Sequence, residues 1–164
     1  LSTGQGLLVI AAARLAEQGL TGEQIAAQVR ALVPKVEASF LVERLDYLYK
    51  GGRCSAVAAL GANMLKLKPC IEVKDGKMGV CKKYRGTSEH AFAQYVQERL
   101  EGRDDIRPEL AFITHPAAQP SVVQAAKDAA AKYGAFSEVI ETNAGCTVSC
   151  HCGPNTLGIL FIRK

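Results

Sequence analysis

The sequence predicts an α/β fold: a two-layer domain with a mixed, about six-stranded sheet covered by helices. Three observations carry that expectation. Short apolar runs alternate with stretches of helical periodicity along all 164 residues, the pattern of layered α/β domains. One Asp75-Gly76 pair joins two alternating runs and predicts an antiparallel hairpin, so the sheet is not all parallel. Hydrophobic residues at 48% supply a core, and charged residues at 22% suit an ordinary globular surface.

In order along the chain, Leu1 to Ala16 reads as a helix, with Ser2 or Thr3 as cap, Leu7, Leu8, Ala11 and Leu15 apolar, and Gly19 as stop. Thr21 and Gln24 form a capping-box pair before Ile25, Val29 and Leu32, and Pro34 ends that second helix. Ala38 to Val42 is a short apolar strand. Leu45, Leu48 and Tyr49 return to helical spacing until Gly51 and Gly52 break it. Ser55 is placed to cap a helix from Ala56 to Leu65. Lys68 to Arg85 is the hairpin, with Ile71 and Val73 facing Met78, Val80 and Tyr84.

Ser88 to Leu100 is an amphipathic helix with Phe92, Tyr95, Val96 and Leu100 on its core face, and the charged EGRDDIRP after it reads as a loop. Glu109 to Thr114 is a strand that delivers His115, a residue for either the structure or a cleft. Pro120 opens a helix from Ser121 to Tyr133, stopped by Gly134. Phe136 to Thr142 is a further strand, Asn143 to Gly145 a turn, and Leu157 to Ile162 the last, buried strand.

Composition narrows the function. No apolar run reaches the roughly 18 residues of a membrane span, and no signal peptide is legible, so the expectation is a cytoplasmic protein without stable membrane insertion. The net charge of +4 comes from scattered residues, and no recognition helix has a basic face; nucleic acid is not the expected partner. The six cysteines have core-like neighbours and no export signal beside them, which favours free buried thiols over disulfides. The chain begins at Leu1, without a methionine and at a helix start, which suggests a piece of something longer.

The stretch Cys150 to Phe161, CHCGPNTLGILF, carries the chemistry. Gly153 and Pro154 set a turn before a core strand, and His151 stands on it as a group able to donate to, or carry charge opposite, an acidic ligand. In KGGRCS, Gly51 and Gly52 allow positive φ, and Arg53 projects beside an expected helix start, where anions are favoured. KKYRG groups Lys82, Lys83 and Arg85 at a strand end: a solvated edge or a docking surface. Two alternatives accompany the ligand-anchor reading. Cys146, Cys150, His151 and Cys152 lie within seven residues and invite a metal or redox reading, but adjacent residues cannot all converge as tetrahedral ligands. An enzyme with His151 as general base lacks a carboxylate or a nucleophile in a matching motif.

LDYLYKGGRCS (Leu45 to Ser55), ALGANMLKLKP (Ala59 to Pro69), KKYRG (Lys82 to Gly86) and HCGPNTLGILF (His151 to Phe161) together resemble the DegV family of bacterial lipid-binding proteins. The resemblance implies that 37–164 is the C-terminal α/β domain of such a protein and that 1–36 is similar to the segment joining its two domains. It further implies a non-enzymatic carrier without a cofactor. Such a carrier encloses a long-chain fatty acid between two domains and presents its carboxylate to a separate fatty acid kinase, which makes acyl phosphate for phospholipid synthesis. His151 matches the carboxylate-binding histidine, and Arg53 and Arg85 match head-group or kinase-facing arginines. Gly51, Gly52, Gly153 and Pro154 match the supporting turns. The family's hydroxyl ligands belong to an N-terminal domain that would complete the site. Two departures stand out: Asn155 where the family commonly has glycine, a residue tolerant of the left-handed region, and Cys54 where a β-branched residue is usual.

Overall fold

The computed structural model describes residues 2–53 and 67–164. Two helices, α1 (Thr3–Glu17) and α2 (Gly22–Leu32), precede β1 (Val36–Leu41) and the short α3 (Asp46–Lys50). The hairpin β2 (Lys68–Lys74) and β3 (Lys77–Tyr84) leads to α4 (Ser88–Leu100), β4 (Ile106–His115), α5 (Pro120–Tyr133), β5 (Val139–Asn143), α6 (Cys146–Cys152) and β6 (Leu157–Arg163). The strands form one six-stranded sheet in the order β3-β2-β1-β6-β4-β5. Among the described residues β4 and β5 run parallel, and the other neighbouring strands are antiparallel.

The expected hairpin turn forms with Asp75 at φ 51 and Gly76 at φ 74, the double positive φ of the tight turn that matches strand twist. The Thr21–Gln24 capping box is closed in both directions, at 2.9 and 3.4 Å. Thr3 has another role: its hydroxyl meets that of Thr114 at 2.5 Å, tying the start of α1 to the end of β4.

Helices α4 and α5 cover one face of the sheet. Phe92, Tyr95, Val96, Leu100, Val122 and Ala126 pack there with Leu41, Ile113, Ile159 and Phe161, the inward halves of alternating strands. On the opposite face α1 lays Leu7 over Ala38, Phe112, Leu160 and Ile162. Beside it, Leu48 of α3 and Cys152 of α6 cover Phe40, Val42 and Ile71.

Three sequence expectations are corrected. His151 stands on the helix α6, not on a turn; Cys, Thr, Val and Ser are weak helix formers, and tertiary packing against α3 overrides them. Strand β4 begins at Ile106, inside the expected loop: Ile106 pairs with Arg163, the ladder is interrupted around Pro108 and resumes at Ala111, because proline cannot donate to it. Strand β5 begins only at Val139, since Phe136 turns to pack on Phe161 with ring centroids 6.0 Å apart. The expected helix Ala56 to Leu65, its cap Ser55 and the variant position Cys54 lie outside the described residues.

Candidate functional site

The topology collects the singled-out residues at one end of the sheet. Leu41 pairs with Cys70 and Leu157, Lys68 with Tyr84, Thr114 with Gly158 and His115 with Asn143. The C-terminal ends of β1, β3, β4 and β5 therefore meet the starts of β2 and β6. The loops that carry the glycine turn, KKYRG, His115 and the last turn all emerge there.

Above this end, α3 packs on α6 through a seam that admits no side chain at two points. A Cβ on Gly51 would enter the ring of His151, and one on Gly153 would come 2.5 Å from Cδ2 of Tyr47. Gly153 also has φ 75, a region in which a side chain is strained. Each helix thus offers a glycine to the other's aromatic ring. His151 Nδ1–H donates to the Thr147 carbonyl at 2.7 Å, because a carbonyl only accepts. The neutral ring then presents Nε2 as a lone pair; the protonated ring presents a second N–H, suited to a carboxylate. Arg53 is exposed, and its Nη1 donates to the Gly51 carbonyl at 3.0 Å, so the guanidinium curls back over the same glycine turn. Gly51, Gly52, Arg53, His151 and Gly153 are brought together, with Pro154 exposed in the turn that follows.

Arg85 is not part of that group. It follows the edge strand β3, three strand spacings from β6, on the order of 14 Å, and lies exposed in a shallow recess with Lys82, Lys83 and Gln94.

Beside the seam is an apolar slot of about 40 Å³, between the start of α1 and α6, floored by Ala38, Phe40, Gly158 and Leu160 and walled by Val148 and Cys152. Its volume is well below the roughly 300–1,000 Å³ of an enclosing ligand pocket; it is a floor rather than a complete cavity. Burial pushes the Cys152 thiol up to about 11, so it is a protonated, apolar wall. Cys146 and Cys150 are exposed on α6, as is Cys81 on β3, against the expectation of buried thiols. Among the described residues no group of three His, Cys, Asp or Glu side chains is placed to share an ion.

At two positions the structure goes further than the sequence reading. Asn155 takes the left-handed region at φ 53, and its amide donates to Glu43 at 2.7 Å and accepts from the Gln119 N–H at 2.9 Å. Glu43 also accepts from Ser88 and lies 3.9 Å from Lys68 Nζ. The side chain that glycine would lack thus ties the last turn to β1, α4 and α5; its signal was the asparagine at a turn position. His115 resolves as structural. Its Nδ1 accepts from the Ala118 N–H at 3.2 Å, its Nε2–H meets Glu141 at 3.3 Å, and it is 7% exposed.

A mixed α/β sheet with its candidate site at one end is the class these observations define. The chain belongs to the DegV family: that family's model, described as an uncharacterised protein, matches residues 1–164. A DegV domain-containing protein of Clostridium acetobutylicum is 31% identical over 164 residues, all of this chain and 57% of that protein. The solved structure of a fatty-acid-binding DegV family protein from Thermus thermophilus superposes with a TM-score of 0.80 at 25% identity, over 98% of this chain and 57% of that one. The fatty acid binding DegV family protein of Streptococcus agalactiae gives 0.75 at 27% identity, over 98% and 56%. The chain thus spans little more than half the length of the relatives it matches.

Proposed function

We propose that this chain is one half of a fatty-acid carrier. Residues 37–164 are its C-terminal α/β domain and 1–36 the helices that join it to a partner domain, which completes the site. The observation that carries this reading is the apolar slot beside the His151 seam, in a chain 25% and 27% identical to two fatty-acid-binding DegV proteins. The slot is the floor on which an acyl tail lies, each buried methylene contributing about 0.8 kcal/mol. His151 holds the carboxylate from beside that floor, with Gly51 and Gly153 fixing its helix. The carrier itself catalyses nothing; it presents the carboxylate to a fatty acid kinase. Arg53, next to the histidine, favours the approaching phosphate, and Arg85 with Lys82 and Lys83 offers an acidic partner a rim contact. The small volume of the slot and the short span of the chain relative to its kin both support a second domain over the site.

The test is solvent extraction and mass spectrometry of the purified full-length protein. A long-chain fatty acid at about one per chain is expected; an extract that stays empty after incubation with oleic acid would overturn the reading. In the same protein His151→Ala is expected to weaken fatty-acid binding about tenfold, the worth of one charge-assisted hydrogen bond, with an unchanged melting temperature. Unaltered affinity would remove His151 from the head-group role.

A further inference from the structure

Two cysteines lie side by side across the β2–β3 hairpin, away from the seam of α3 and α6. Pairing runs Lys68 with Tyr84, Pro69 with Lys83 and Cys70 with Lys82, then shifts to Ile71 with Val80, so Cys81 is the extra residue of a β-bulge. A bulge sets two residues against one and leaves the extra one out of the ladder. The Cys81 thiol accordingly donates to the Cys70 carbonyl at 3.5 Å, which sets its sulfur beside the Cys70 residue, while the Cys70 thiol is directed to the Ile71 carbonyl at 4.0 Å. Adjacent strands lie about 4.8 Å apart, inside the roughly 4.4–6.8 Å Cα separation at which a disulfide closes. Cys70 is 1% exposed, in the core beside Tyr84, while Cys81 is open to solvent. One sulfur is reachable by a small oxidant and the other is held in reserve behind it.

We propose that Cys70 and Cys81 form an oxidisable dithiol site, closed to an intramolecular disulfide by a small peroxide. Cys81 sulfur attacks one oxygen of hydrogen peroxide; the O–O bond breaks, the thiol proton leaves with the other oxygen as water, and Cys81 carries a sulfenic acid. Cys70 sulfur then attacks Cys81 sulfur. The S–S bond forms, the S–O bond breaks, and the hydroxyl departs with the Cys70 proton as a second water. Peroxide is reduced to two waters, and the protein loses two hydrogens. The neighbouring Cys70 thiol lowers the Cys81 thiol's pKa, and Cys81 with burial raises that of Cys70, so Cys81 is the more readily ionised, attacking sulfur. A closed bridge pins the bulge just ahead of Lys82, Lys83 and Arg85.

The protein is treated with hydrogen peroxide, its remaining thiols are alkylated, and a tryptic digest is analysed by mass spectrometry. Lys74 and Lys77 lie between the two cysteines, so trypsin releases them on separate peptides. The expected product is a pair of peptides joined through Cys70 and Cys81, released by dithiothreitol and lost in Cys81→Ser. In Cys70→Ser the sulfenic acid on Cys81 is expected to persist and to be trapped by dimedone. Cys81 recovered alkylated while Cys146 or Cys150 is oxidised would overturn the proposal. So would Cys81 oxidised to sulfinic acid without a bond to Cys70.

Discussion

Tyr95 shows how completely one buried polar residue is accounted for. Its hydroxyl donates to the Ser39 carbonyl at 2.7 Å, accepts from the Ile159 N–H at 3.1 Å and meets the Ser39 hydroxyl at 2.8 Å. One proton and two lone pairs are all used. Burial raises the phenol's pKa, so it remains a donor throughout the physiological range. Tyr95→Phe fills the same volume but strips Ile159 and Ser39 of a partner inside the core. The expected loss is about 1–3 kcal/mol, read as a lower urea midpoint at unchanged slope; a midpoint equal to the parent's would show that these groups find other partners. The sequence placed Tyr95 on the core face of a helix by its spacing from Phe92 and Leu100. Its bonding was out of reach, because Ser39 and Ile159 are 56 and 64 residues away.

At the scale of elements, the seam between α3 and α6 depends on two glycines that face rings. Gly51→Ala puts a methyl where the His151 ring lies, so the ring must swing away or the helices part. On the proposed carrier function, fatty-acid affinity is expected to fall at least as far as in His151→Ala. The sheet core, built on α4 and α5, keeps its far-ultraviolet spectrum. Normal affinity in this variant would mean that the ring position does not matter to the ligand. Helix α6 also marks a limit of sequence reading. Seven residues of low propensity are held by packing against α3 and the sheet, where the His151 ring meets Gly51 and Cys152 joins Leu48 and Phe40, with local side-chain bonds adding to it. Thr156 Oγ1 donates to the Cys152 carbonyl at 2.8 Å, and the Ser149 hydroxyl meets the Ala144 and Gly145 carbonyls at 3.1 Å. A local pattern of turn residues outweighed a helix whose stabilising contacts are tertiary.

For the whole molecule, ion pairs set the acid limit of stability. Glu37 draws Arg99 to 2.9 Å and Arg103 to 2.8 Å, fastening the end of α4 to β1. Arg103 lowers the pKa of Asp105, Arg107 that of Glu109, and Lys127 with His115 that of Glu141. In the unfolded chain these groups return to ordinary values of 3.8 and 4.5, so the unfolded state takes up protons first as pH falls. The stability they lend is complete above those values and drains below them, until the lower folded values are passed. The urea midpoint is expected to fall as pH drops below about 4.5, and less steeply in high salt because the pairs are exposed. A midpoint that rises below that pH, or a fall that salt leaves unchanged, would contradict this account.

The sequence by itself determined the alternation of strands and helices, the Asp75-Gly76 hairpin, the capped second helix, the core face of α4 and the family. All of these are written in local periodicity, in turn chemistry or in motifs of fixed order, and such signals act over a few residues. Only the tertiary structure decided that His151 stands on a helix against Gly51, that Arg53 curls over the same turn while Arg85 lies at the far edge, and that His115 is a clamp. It alone set Cys81 beside Cys70, through a slip in the ladder that no composition records. Those outcomes depend on which chain segments become neighbours across the sheet, and that is fixed by packing and register between residues distant in sequence.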